Sequence, residues 1–239
     1  MSRILIPLDV PSAAEALALA DRLRGEVGGF KVGHQLFTSA GPSVVRALVS
    51  RGDRVFLDLK YHDIPNTVAG AVAAAADLGV WMVNVHASGG PAMMAAARQA
   101  ADRAGATPNG RTPLVIAVTV LTSLDAAALR TIGVERDPLE WTVGLARLAQ
   151  ASGLDGVVAS PLETAAIRDA CGPDFTIVTP GIRGGAAASG PDDQQRTLSA
   201  GGAVAAGSAY LVIGRPITGA ADPRAAAAAV NREIAAAAR

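Results

Sequence analysis

A chain of 239 residues can bury a core without disulfide staples, and its 21 basic residues balance 21 acidic ones with no Lys/Arg run. That balance gives no electrostatic support for binding nucleic acid or an anionic membrane surface. Half the residues are apolar but only 3% are aromatic, which suits packed alanine-rich helices, and the lone Cys171 excludes an internal disulfide or a cysteine-based zinc site.

Met1-Ser2-Arg3-Ile4 runs directly into an apolar strand pattern without the architecture of a signal peptide, so the cytoplasm is the expected compartment. The first strand candidate, Ile4–Asp9, is followed by Ser12, which can cap a helix carrying Ala16, Leu17, Leu19, Ala20 and Leu23 on its apolar side. Phe30–Gly33 and Val55–Lys60 are the second and third strands, and Pro65 and Asn66 help to start the helix after the third. Leu78–Ala97 lacks Asp, Glu, Lys and Arg and so resembles a membrane span. Its Asn84, His86, Ser88, Gly89, Gly90 and Pro91 would be costly in hydrocarbon, so it reads as a strand, Met82–Ala87, a turn and a helix start. Leu114–Leu121 is the fifth strand, and Asp137-Pro138 then opens a helix with proline where its missing N–H costs nothing. Gly156–Ser160, Thr176–Ile182 and Tyr210–Gly214 complete the strands, and Asp222-Pro223 precedes a closing helix over Arg224–Ala238.

Several of these strands are continuous apolar runs, as parallel strands buried on both faces require. Eight βα alternations without a compositional break predict one α/β domain over residues 1–239, a single-domain (β/α)₈ TIM barrel. An open doubly wound sheet is the rival. Against it, Leu8-Asp9-Val10-Pro11-Ser12 stands where a G-x-G-x-x-G would follow the first strand. In a barrel the chemistry belongs at the carboxyl ends of the strands.

The third strand ends there in Val55-Phe56-Leu57-Asp58-Leu59-Lys60, followed by Tyr61-His62-Asp63-Ile64-Pro65-Asn66-Thr67. Asp58 and Lys60, roughly 6.6 Å apart along a regular strand, share its interior face, while Leu57 and Leu59 point toward the helices. A structural ion pair with a capping Asp63 is one reading. The other is functional, because charges on an interior face are costly unless paired. At about 4 Å and an effective dielectric of about 20, each Asp–Lys contact is worth on the order of 4 kcal/mol. A fixed ammonium so held can stabilise a developing carbanion and deliver a proton to it.

The string Phe56 to Thr67 closely resembles that of the orotidine 5′-phosphate decarboxylase family. Further strings extend the resemblance over nearly the whole chain. They are Leu8-Asp9, Phe30-Lys31-Val32-Gly33, Val83-Asn84-Val85-His86-Ala87, Val118-Thr119-Val120-Leu121-Thr122-Ser123, Val178-Thr179-Pro180-Gly181-Ile182-Arg183 and Val212-Ile213-Gly214-Arg215-Pro216. The Asp-x-Lys-x-x-Asp core alone is shared with metal-dependent sugar-phosphate relatives; the Asp63-Ile64-Pro65-Asn66-Thr67 extension is more specific. The resemblance implies a carboxy-lyase that converts orotidine 5′-monophosphate to UMP and CO₂ in pyrimidine biosynthesis, with no metal or organic cofactor. It implies that Lys60 protonates the carbon that lost CO₂ and that Asp58 sits beside the departing carboxylate. It also implies an alternating array of Lys31, Asp58, Lys60 and Asp63, with Asp63 and Thr67 reaching across a homodimer interface.

For the phosphate, Gly214-Arg215 after the eighth strand offers close backbone approach and a bidentate cation, or simply a strand end and a solvated arginine. Arg183 supplies a second cation at the neighbouring mouth. Residues 184–193 are too rich in Gly, Ala and Asp to pack a core and suit either a lid or a plain connector. The resemblance favours a lid with Gln194 on the phosphate, Gln195 being the alternative. It also makes Asp9 and Lys31 ribose contacts and places Thr122 at the pyrimidine. On the residues alone these are a helix cap, a surface lysine and a loop threonine. His34, His62 and His86 lack metal-ligand spacing, and Trp81 and Trp141 read as packing residues.

Two other functions compete. A metal-dependent sugar-phosphate aldolase or decarboxylase would carry a carboxylate on the second strand, where this chain has Lys31, a cation that repels Mg²⁺. A barrel that only binds a nucleotide would not need every charged position filled, as they are here.

Overall fold

Eight parallel strands close into a barrel in chain order: β1 Ile4–Pro7, β2 Gly29–Gly33, β3 Val55–Tyr61, β4 Met82–His86, β5 Leu114–Val118, β6 Gly156–Val158, β7 Thr176–Thr179 and β8 Tyr210–Val212. The circle closes where β8 pairs with β1, with Ile4 opposite Leu211 and Leu5 opposite Val212. This computed structural model describes residues 2–105, 112–182 and 198–237.

The period-two alternation of a strand divides the apolar residues into two layers. Leu5, Phe56, Met82, Ile116 and Val178, one each from β1, β3, β4, β5 and β7, meet inside the barrel and fill it. Their neighbours Ile4, Ile6, Val55, Leu57, Val83, Val85, Val115, Ala117 and Ile177 belong to the larger core between sheet and helices. Strands covered on both faces explain why the sequence shows continuous apolar runs rather than alternation. Trp81 meets Tyr210 edge-on at 4.9 Å at the amino end of the barrel, and Trp141 packs on the outer core, as expected of packing residues.

The helices begin where short polar side chains satisfy free backbone N–H groups. Ser12 Oγ accepts from Glu15 N–H, and Asp137 accepts from the N–H groups of Leu139 and Glu140 ahead of the helix Pro138–Ala151. Asp222 accepts from Ala225 N–H at the start of the closing helix, which spans Pro223–Ala237. Arg98 ties the helix Pro91–Ala104 to the barrel through Asp155, whose carboxylate also accepts Val115 N–H at 2.7 Å.

Most strands end earlier than the apolar pattern suggests. β1 stops at Pro7 and β5 at Val118, leaving Asp9 and Thr122 in the loops beyond. β3 departs the other way and includes Tyr61. Among the described residues no helix is long and apolar enough to cross a membrane.

Candidate active site

Two residues beyond the apolar plug, the interior face turns polar. Asp58 follows Phe56 on β3 and Asn84 follows Met82 on β4, both buried, and Lys31 comes in from β2. Asp58 is the centre of the cluster. Its Oδ1 accepts from Lys60 Nζ at 2.7 Å and from Asn84 Nδ2 at 2.7 Å, and its Oδ2 faces Lys31 Nζ at 3.2 Å. Lys31 Nζ also lies 3.5 Å from Asp9 Oδ1, so Asp9, Lys31, Asp58 and Lys60 alternate in sign along one line of contacts.

Burial alone would drive the Asp58 carboxyl toward its neutral form. The ammonium groups of Lys31 and Lys60, with hydrogen bonds from Lys60 and Asn84, outweigh that and hold it below the ordinary carboxylate value of 3.8. Asp58 is therefore ionised at neutral pH.

The regular alternation expected of Asp58 and Lys60 is broken between them. The β3–β4 register shifts between Leu57 and Tyr61, and Lys60 is the only non-glycine residue with positive φ (47°) among the described residues. Such a conformation costs about 1–2 kcal/mol for a residue with a Cβ. The expectation failed here because a period-two count cannot register a bulge. The bulge still turns Nζ back onto Asp58, so the predicted pair forms.

Gly33, at the end of β2, lies against Lys31 and Asp9. A Cβ there would stand 3.0 Å from Lys31 Nζ and 3.4 Å from Asp9 Oδ1, so the missing side chain leaves the room that Lys31 occupies. Neither Gly33 nor Asn84 stands out as a site residue in the sequence. The available signal was a lone carboxamide inside an apolar strand buried on both faces.

His86 ends β4, and its ring lies 5.4 Å from that of His62. Burial, with the His62 ring and the Lys60 ammonium, pushes the His86 imidazole below its ordinary 6.5, toward the neutral form. His34 sits within 3.1 Å of the Leu59 carbonyl. Among the described residues, no three His, Cys, Asp or Glu side chains gather as a metal ion would need.

Asp63 and Thr67 are exposed, as is Ile64 between them. Asp63 Oδ1 accepts the N–H of Ile64 at 2.6 Å at the entrance to the helix Pro65–Asp77, outside the Asp9–Lys60 line. Thr122 is half-buried in the loop after β5. Gly214 follows β8, with Pro7 Cγ 3.2 Å from where its Cβ would be, and Arg215 opens a single helical turn, Arg215–Thr218. Arg183, Gln194, Gln195 and the 184–193 stretch lie outside the described residues.

Residues 2–230 match the family model described as "Orotidine 5′-phosphate decarboxylase / HUMPS family". A relative from Halorhodospira halophila named orotidine 5′-phosphate decarboxylase is 59% identical, over 98% of this chain and 97% of its own. One of the same name from Moorella thermoacetica is 55% identical, over 97% of this chain and 92% of its own. A crystal structure of orotidine 5′-phosphate decarboxylase from Lactobacillus acidophilus superimposes with a TM-score of 0.87 at 36% identity, covering 98% of this chain and 99% of that one.

Proposed function

The chain belongs to the orotidine 5′-phosphate decarboxylase / HUMPS family, and we propose that it converts orotidine 5′-monophosphate to UMP and CO₂ without a metal or organic cofactor. The observation that carries the reading is the line Asp9–Lys31–Asp58–Lys60 at the carboxyl end of the barrel, with Asp58 held between two ammonium groups. The bond from the pyrimidine ring to the carboxylate breaks, CO₂ departs, and the electron pair stays on the ring carbon. Lys60 Nζ, fixed by Asp58, stabilises that carbanion and gives it a proton, forming the C–H bond of UMP. The neutral amine then recovers a proton from solvent. Asp58 stands beside the departing carboxylate, so the charge lost as CO₂ is lost next to another negative charge.

Around this centre Asp9 and Lys31 take the ribose hydroxyls, Thr122 the pyrimidine, and Arg183, Gln194, Gly214 and Arg215 the phosphate. A phosphate after strands seven and eight is the usual barrel arrangement. Asp63 and Thr67 complete the site of a second copy in a homodimer. Their exposure on one loop and helix start, beside an Ile64 that is 67% exposed, supports a surface that meets another chain. The whole chain, 1–239, then acts as one catalytic domain in the cytoplasm.

The test is the ultraviolet absorbance of orotidine 5′-monophosphate with purified protein in EDTA. Conversion to the UMP spectrum is expected. Turnover that vanishes in EDTA and returns with Mg²⁺ would overturn the cofactor-free reading, and a folded protein inert under both conditions would overturn the reaction.

A further inference from the structure

We propose that Asn84 is the positioning residue for this chemistry, fixing Lys60 through its backbone and Asp58 through its carboxylate; the inference rests on the reaction proposed above. Between the pairs Leu57↔Val83 and Tyr61↔Val85 the chain advances four residues on β3 but two on β4. The surplus is absorbed where Lys60 enters the left-handed region at φ 47°. A bulged residue is left without its ladder partner. Here the partner comes from a side chain, Asn84 Oδ1, which accepts the Lys60 N–H at 2.8 Å.

The other end of the same carboxamide donates to Asp58 Oδ1 at 2.7 Å, the oxygen that also accepts Lys60 Nζ. Chemistry sets which way the amide lies: a backbone N–H only donates and an ionised carboxylate only accepts. Asn84 is 0% exposed, so water does not compete for either bond. A carboxylate at position 84 would repel Asp58, and an aliphatic side chain would leave both groups unsatisfied. Asn84 therefore leaves Asp58 Oδ2 to Lys31 and aims the Lys60 side chain from a backbone conformation that nothing else on β4 holds by a side-chain bond.

Two substitutions separate this role from simple support of the fold. Asn84→Ala removes both bonds. Asn84→Asp fills the same volume and keeps an acceptor for the Lys60 N–H, but it can donate to Asp58 only while the new carboxyl is protonated. The charges facing that carboxyl are Asp58, which raises its pKa, Lys60 and, behind Asp58, Lys31, which lower it; His86 follows two residues on along β4. Asn84→Ala should lower kcat about tenfold or more at every pH with KM changed less than about threefold, the pattern of an interaction used mainly in the transition state. Asn84→Asp should match that loss near about pH 8 and recover relative to the parent as the pH falls toward about 5, because the protonated acid restores the donor.

A second readout does not depend on turnover. Hydrogen exchange at the Lys60 amide should be slow in the parent and in Asn84→Asp, and fast in Asn84→Ala. Parent-like kcat in Asn84→Ala, an Asn84→Asp deficit that does not vary with pH, or unchanged Lys60 exchange would each overturn the proposal. Should Asn84→Ala fail to fold, Asn84→Asp carries the test alone. A parent protein without turnover would instead overturn the reaction, and the exchange measurement would still decide whether Asn84 holds the Lys60 backbone.

Discussion

Lys60→Ala separates the proposed proton donor from the frame that holds it. The lysine side chain is 26% exposed and anchored by one ion pair, so truncation removes little buried apolar surface. Asp58 keeps Lys31 at 3.2 Å and Asn84 at 2.7 Å, so its carboxylate is not left alone. The bond to Asn84 comes from the main-chain N–H and survives, and alanine at φ 47° is strained no more than lysine. Between the limits for exposed and buried ion pairs, the stability loss should be about 1–2 kcal/mol. For a chain of this size that lowers the melting temperature by roughly 2–8 °C. Turnover should change far more. Loss of a general acid costs about 10²–10⁴ and loss of a fixed charge facing the developing anion about 10²–10³. Together they raise the barrier by about 5–10 kcal/mol. Absorbance assays in EDTA read the turnover, circular-dichroism melting reads the fold, and calorimetry with UMP reads the site. A folded variant that decarboxylates within about tenfold of the parent refutes the role given to Lys60.

Three further outcomes follow from the same geometry. In Gly33→Ala the new Cβ meets the flexible end of Lys31 at 3.0 Å, so the fold should survive while the displaced ammonium lowers kcat/KM about tenfold or more; parent-like kinetics would dismiss Gly33 as a spacer. The Asp58 carboxyl is held below 3.8, so its contribution to stability is fully present above that value and is lost as the pH falls through the lowered folded one. The stability difference between the parent and Asp58→Asn should therefore be level from neutrality to about pH 5 and change only below about pH 4 in acid titrations followed by urea unfolding. A difference that already fades near neutrality would contradict the assigned ionisation. If Asp63 serves the second copy's site, Lys60→Ala and Asp63→Ala proteins should regain activity when unfolded together and reassociated, since half the sites in each mixed dimer are intact. A statistical mixture then recovers about a quarter of the parent rate, and no recovery would place Asp63 in its own chain's site.

The order of the barrel was legible because each strand is a short apolar run framed by turn residues and capped helices, and Ser12, Asp137 and Asp222 cap as their positions suggest. Strand ends were less legible. Apolar residues continue past Val118 into Val120 and Leu121, but the chain has by then left the ladder, and nothing in hydrophobicity marks that departure. In the site, Asp58 and Lys60 could be paired from their spacing, while Lys31 within β2 and Asp9 in the loop after β1 join them through contacts that the spacing does not display. The bulge was not readable, because the side chain that accepts its N–H, Asn84, lies 24 residues away and no local propensity favours lysine at positive φ. Gly33 was hidden for another reason: what it offers is the volume left for the Lys31 ammonium, two residues back on the same strand, and an absent side chain gives a sequence string nothing to display.

The alternation of charge also bears on which chemistry of the family this barrel suits. A divalent cation of the Mg²⁺ type needs oxygen donors that converge on one point. The two carboxylates nearest to such a point, Asp9 and Asp58, are instead bridged by Lys31, with Nζ at 3.5 Å from one and 3.2 Å from the other. With Lys60 included, the line holds two negative and two positive groups, so an arriving dication would add charge that nothing compensates and would meet an ammonium at closest range. A substrate carboxylate faces the opposite situation. In the proposed reaction it is drawn in by Lys60, held against Asp58 by binding energy gathered elsewhere on the nucleotide, and relieved of its charge when CO₂ leaves. In that reaction the proton that replaces it comes from the cation already in place. A carboxylate that must depart as a neutral gas is the ligand for which a fixed negative charge at Asp58, kept ionised by Lys31 and Lys60, is useful rather than merely tolerated.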